Sequence, residues 1–156
     1  MRSSLRSLLV AGVLVPVMTG GVAAQGSPAR FGLRGGLGLS PDQVVLGAQA
    51  ELGTWTIARV VPSVDIGLGD NVTTIDFNAD FLLRVTVPDA SLTLYGGGGP
   101  TVAFIDHDNG NSNWNVGVSA VVGGRLPVGG KHAVNLEARF GIGDIPDFRL
   151  IAAIIF

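Results

Sequence analysis

The chain has no cysteine. That excludes disulfide staples, thiolate metal sites, cysteine nucleophiles and a lipid-bearing cysteine at a processed N-terminus. Stability must therefore come from packing and hydrogen bonds. Lysine is almost missing too: Lys131 is the single one, whereas a water-facing surface normally mixes many lysines with acids. Charged residues make up only 14% of the chain against 47% hydrophobic, a balance too apolar and too sparsely charged for an ordinary soluble domain. No stretch of about 20 apolar residues runs without a Gly, a Pro or a charge, which argues against a membrane-spanning helix. The basic residues are not clustered, which argues against nucleic acid as a partner.

What is present begins with "MRSSLRSLLVAGVLVPVMTGGVAAQ". Arg2 and Arg6 precede an apolar run from Leu8 to Met18, and small residues close the stretch at Val22, Ala23 and Ala24. This is the pattern of a secretory signal peptide over residues 1–24, cleaved after Ala24. One domain, residues 25–156, is then expected. Without Arg2 and Arg6, the chain's ten basic residues fall to eight against twelve acidic ones.

Beyond Gln25 the apolar residues recur at every second position. In "VNLEARFGIGD", Val134, Leu136, Ala138, Phe140 and Ile142 alternate with Asn135, Glu137, Arg139, Gly141 and Gly143, the period of a strand with two unlike faces. "TTIDFNADFLLRVTV" repeats the logic, with Ile75, Phe77, Ala79 and Phe81 opposed to Asp76, Asn78 and Asp80. Turn-forming stretches divide the chain into eight such segments: 30–39, 44–52, 56–68, 72–87, 91–104, 114–127, 133–143 and 147–156. Most separators are short, so neighbouring strands should pair as antiparallel hairpins. The expected fold is all-β, an eight-stranded antiparallel up-and-down barrel.

Two barrels suit such a meander, one soluble with an apolar interior and one in a membrane with a polar interior. The charges favour the second. Each strand's apolar face is free of charge, while the other face carries Arg34, Glu51, Arg59, Asp65, Asp76, Asp80, Arg84, Arg125, Glu137, Arg139 and Arg149, with Arg30 at the start of the first strand. That polar face has arginine without lysine, and many glycines. Arginine suits a cation that must be paired in a confined space, and glycine leaves room for a long opposing side chain. A lipid-facing charge costs about 2–4 kcal/mol near the midplane of the bilayer, which accounts for the charge-free stripe. The eleven charged residues are expected to form a lumen network. A "PDA" turn that pairs Val87 with Leu92 sets Arg84 beside Tyr95 and Asp80 across from Gly99, and a "VGGK" turn that pairs Leu126 with Val134 sets Glu137 across from Gly123 and diagonal to Arg125.

The last segment, "DFRLIAAIIF", places Phe148, Leu150, Ala152, Ile154 and Phe156 on the apolar face. With the signal peptide and the eight alternating segments, this stretch resembles the small eight-stranded outer-membrane barrels related to OmpX and the transmembrane domain of OmpA, porin-family proteins of Gram-negative bacteria. The resemblance covers the chain from about Arg30. It implies an integral outer-membrane location, a monomer, contact with outer-membrane lipid and lipopolysaccharide, and no enzymatic activity. It also implies that Phe156 is the assembly signal read by the barrel-assembly machinery. The turns on the external side are mostly short, so a role built on long adhesive loops does not follow.

Other functional classes have weaker signals. The stretch "IDHDNGNSNW" looks superficially like a calcium loop, but Gly110 falls one position too early, and neither a metal nor a cofactor is expected. His107, Asp106, Asp108 and Ser112 crowd one loop and could be imagined as a hydrolase cluster, although residues this close in sequence seldom converge on one reacting atom. Asp42, Asp70, Asp106, Asp108, Asp144 and Asp147 lie in or beside the external turns. They could bridge to lipopolysaccharide through divalent cations, or be there simply because Asp forms turns well. A narrow channel and a secreted soluble ligand-binding barrel also remain open. Trp114 with Phe104, and Trp55 with Phe31, are placed to form interfacial aromatic girdles.

Overall fold

The computed structural model describes residues 28–53, 57–88 and 90–156. The expected signal peptide and Trp55 lie outside the described residues. Eight strands follow in chain order: β1 (Arg30–Leu39), β2 (Asp42–Glu51), β3 (Ala58–Gly69), β4 (Val72–Thr86), β5 (Thr93–His107), β6 (Ser112–Gly129), β7 (His132–Gly143) and β8 (Phe148–Ile155). Each pairs antiparallel with its sequence neighbours, and β8 pairs with β1, so the sheet closes into a barrel. The expected fold is the observed one. Closure satisfies both edges of the sheet, which in lipid is the only way a sheet can exist.

Turn chemistry sets the hairpins. Asp70 and Asn71 alone join β3 to β4, with Asn71 at φ 66°, the left-handed conformation that two-residue hairpin turns need and that Asn tolerates. Gly129 and Gly130 do the same service between β6 and β7, at φ 112° and 57°. Several strands reach further at an end than the apolar alternation indicated, while others, β4, β5 and β8 among them, fall short of it by one or two residues at an end. β2 begins at Asp42 rather than Val44, β5 continues to His107, and β6 runs from Ser112 to Gly129. The loop expected over 105–113 is thereby reduced to residues 108–111. Asp106 pairs with Ser112; ladder hydrogen bonds need only backbone groups, so pairing outlasts the apolar pattern.

The alternation decides the faces. Along β4, Asp76, Asn78, Asp80 and Leu82 are buried while Phe77, Ala79, Phe81 and Leu83 are exposed. The same holds round the barrel, where Leu33, Leu46, Ile66, Phe77, Leu136, Phe140 and Leu150 all point outward. Charge is buried and hydrocarbon is exposed, the inverse of a protein folded for water. Apolar side chains inside are few. Val61, Leu82, Tyr95 and Val121 form one small cluster, and Ala133, Ala153 and Ile155 another.

The barrel has two ends. The distal rim carries the β1–β2, β3–β4, β5–β6 and β7–β8 turns; the terminal rim carries the other three connections, the start of β1 and Phe156. At the terminal rim the backbone N–H of Phe156 donates to the Phe31 carbonyl at 2.8 Å, extending the closing seam by one bond.

Candidate functional site: the charged interior

Ten of the charged side chains singled out above are buried inside the barrel: Arg34, Arg59, Arg125, Arg139 and Arg149, with Glu51, Asp65, Asp76, Asp80 and Glu137. They meet in layers. Nearest the distal rim, Arg149 on β8 pairs with Asp76 on β4. Its Nη2 donates to Thr74 Oγ1 at 2.9 Å and Gln43 Oε1 at 3.3 Å. One layer deeper, Arg139 donates to both Asp80 oxygens, at 2.5 and 3.2 Å. It also donates to Ser119 Oγ at 2.7 Å and Asn78 Oδ1 at 3.2 Å. Thr101 donates to the same Asn78 oxygen at 2.8 Å.

In the next layer Arg34 lies between two acids, with Nε 3.2 Å from Asp65 and Nη2 3.2 Å from Glu137. The hydroxyl of Tyr95 donates to the other Glu137 oxygen at 2.9 Å. Two glycines make this layer possible. A Cβ on Gly47, which pairs with both Arg34 and Asp65, would come within 2.2 Å of the Asp65 carboxylate. A Cβ on Gly123 would meet the Tyr95 ring at 2.6 Å. Towards the terminal rim, Glu51 Oε1 accepts from Arg59 at 3.0 Å and from Arg125. The Arg59 guanidinium also lies 4.4 Å from the centroid of the Tyr95 ring, and Arg125 Nε donates to Asn135 at 2.8 Å.

The registers that the turns implied are the observed ones, but the side chains take partners across the lumen. Arg84 does lie across from Tyr95, and Glu137 across from Gly123. Yet Tyr95 turns its hydroxyl to Glu137, and Arg125, which the turn placed diagonal to Glu137, pairs with Glu51 instead. Arg84 is only half-buried, near the terminal rim, where its backbone N–H donates to the Ile57 carbonyl. Ser119, Thr101, Thr74 and Gln43 were not singled out from the sequence, and Asn78 and Asn135 were read only as members of a polar face. Parity with an inward charge was the available signal for five of the six: Gln43 shares it with Glu51, Thr74 and Asn78 with Asp76 and Asp80, Ser119 with Arg125, and Asn135 with Glu137, whereas β5 carries no inward charge to mark Thr101.

The two rims are built differently. At the distal rim the β7–β8 turn folds inward. Gly141 N–H donates to the Asp147 carbonyl, and Asp147 N–H donates to the Ser40 carbonyl. This brings Ile145 to 6% exposure over the interior, about 3 Å from where side chains on Gly117 and Gly141 would begin. Beneath it a void of only about 10 Å³ remains, lined in part by Ile145, Pro146, Asp76 and Arg149. The terminal rim instead opens as a recess of about 740 Å³ over Arg125.

The loop residues do not assemble into chemistry. Asp106, His107, Asp108 and Ser112 are exposed, and among the described residues no hydrogen bond joins the His107 ring to Ser112. Nor does any group of three or more His, Asp or Glu side chains among them converge in a way that could hold a metal. Aromatic rings gather at the distal rim as two tilted pairs, Phe104 with Trp114 and Phe140 with Phe148, each 5.1 Å between centroids. At the terminal rim Phe31 is exposed and His132 stacks edge-on against Phe156 at 5.9 Å.

No protein-family model and no curated protein sequence matches the chain. Solved structures do. The N-terminal barrel domain of Pseudomonas aeruginosa OprF superposes with a TM-score of 0.70 at 11% identity, covering 82% of this chain and 95% of that one. Neisserial surface protein A gives 0.62 at 10% identity, over 81% and 94%. Yersinia pestis outer membrane protein Ail in a phospholipid nanodisc gives 0.53 at 8% identity, over 83% and 99%. Taken with the closed antiparallel sheet and its exposed hydrocarbon, these likenesses give the chain the fold of the small eight-stranded outer-membrane barrels.

Proposed function

We propose that the protein is an integral outer-membrane barrel of a Gram-negative bacterium, non-enzymatic and monomeric, whose role is structural or interactive rather than conductive. The observation that carries this reading is the contrast between the two surfaces of one sheet. A belt of exposed Leu, Val, Ile and Phe, with Ala, Gly and Pro between them, faces outward round the barrel, far more than the few hundred square ångströms of contiguous apolar surface that soluble monomers expose. The charges inside are paired across the lumen by Arg149–Asp76, Arg139–Asp80, Arg34–Asp65, Arg34–Glu137 and the Glu51–Arg59–Arg125 triad. Eight strands enclose a space that side chains can fill, and here they span it at several levels. The fold shared with OprF, Neisserial surface protein A and Ail supports the location.

On this reading the partners are outer-membrane lipid, lipopolysaccharide at the distal rim, and the barrel-assembly machinery acting on the strand that ends at Phe156. The paired interior should stop solutes. Protein reconstituted in liposomes is expected to give at most small, occasional conductance and no swelling in a small sugar. Swelling at rates typical of a general porin would overturn the closed interior and make the protein a channel. A chain that stays monodisperse in water without detergent would overturn the membrane location itself.

A further inference from the structure

We propose that the recess at the terminal rim is an anion site that takes a phosphate group. Its described lining includes Arg30, Arg125, Lys131 and His132, with Pro127 and the Phe156 ring as apolar wall, and contains no acidic side chain. Arg30 is held at the mouth because its Nη2 donates to the Lys131 carbonyl, tying the start of β1 to the β6–β7 turn. Among the described residues, neither Arg30 nor Lys131 forms an ion pair.

The floor of the recess adds to this charge. Glu51 is shared by Arg59 and Arg125, so the layer just beneath holds two guanidinium groups against one carboxylate. The balancing acid is deeper, where Arg34 sits between Asp65 and Glu137. The buried charges thus sum to neutrality over the whole interior but leave a cation surplus facing the opening. A low-dielectric wall concentrates such a field into the mouth. Guanidinium forks with a flexible ammonium beside them match the oxygens of a phosphate. The recess, about 740 Å³, has room for a phosphate and the group attached to it. The phosphate could belong to a soluble solute or to a phospholipid headgroup at the membrane surface beside Phe156.

Lys131 is the only lysine in the chain, so amine acylation followed by peptide mass spectrometry reads the recess directly. In a phosphate-free detergent, inorganic phosphate should slow acylation of Lys131. The slowing reaches about tenfold once phosphate is about ten times its dissociation constant, while sodium chloride at equal ionic strength does not reproduce it. Arg30→Gln should lose most of this protection while keeping the heat-modifiable mobility of a folded barrel. In parallel, acylation is compared in phosphatidylcholine vesicles with and without phosphatidylglycerol. Protection by inorganic phosphate identifies a soluble source; protection only in vesicles containing phosphatidylglycerol identifies the headgroup. Labelling that is unchanged by phosphate in detergent and unchanged by phosphatidylglycerol in vesicles, or slowing by chloride as strong as by phosphate, would overturn the site.

Discussion

At the distal rim Ile145 and Pro146 lie over the interior and leave about 10 Å³ beneath them, whereas the terminal rim opens by about 740 Å³ onto Arg125. Charge differs with shape. The distal turns and their borders carry Asp42, Asp70, Asp106, Asp108, Asp144 and Asp147, while Arg30, Lys131 and His132 gather at the terminal rim. Interior pairing differs at the two ends as well. Asp76 near the distal rim has one arginine, and Glu51 near the terminal rim has two. A barrel of uniform strands can therefore have two unlike ends, because the ends are made by turns and by the last inward residues of each strand, not by the alternation that makes the wall.

The largest effect should come midway, where neither rim supplies water. Asp80→Ala strands Arg139 without its carboxylate, and breaking a buried pair from one side costs about 3–5 kcal/mol. Denaturant titration of lipid-reconstituted protein should show that loss, and the double variant Asp80→Ala with Arg139→Met should recover much of it. The rims themselves are compared by Glu51→Gln and Asp76→Asn. Losing Glu51 leaves Arg59 and Arg125 facing each other, whereas Arg149 keeps Thr74 and Gln43 as acceptors. Glu51→Gln should be the costlier by about 1.5–3 kcal/mol, the scale of one hydrogen bond to a charged group; equal costs would mean that the triad behaves as a single pair.

A smaller effect is expected from Ile145→Ala, which removes buried apolar volume at the closed rim. It should cost about 2 kcal/mol and speed hydrogen exchange at the Gly141 and Asp147 amides, whose bonds hold the turn inward. Unchanged exchange there would show that the turn is held without Ile145. The smallest belongs to the open rim. Lys131→Ala removes an exposed side chain with no packing role, so the denaturation midpoint should not move, and a clear drop would show that the basic rim serves stability after all.

Alternation alone determined a great deal about this protein. A strand's side chains point to opposite faces in turn, so the parity of Asp76, Asn78 and Asp80 against Phe77 and Phe81 was enough to assign faces, and the turn-forming stretches between the alternating segments gave the strand number. The scarcity of lysine and the charge-free stripe on every strand then indicated which face is the outside of the barrel. Partners were a different matter. Arg34 and Glu137 are on β1 and β7, and Arg149 and Asp76 on β8 and β4; they meet only because the sheet closes, with each strand staggered against the next. A hairpin turn sets the register of two strands, and therefore placed Glu137 opposite Gly123, but it says nothing about contacts across the lumen. Arg125 was accordingly expected near Glu137 and is found on Glu51. The inward fold of Ile145 and the basic recess at the opposite rim have the same origin: both are made by residues from several strand ends that no local pattern relates, and only closure of the barrel brings them together.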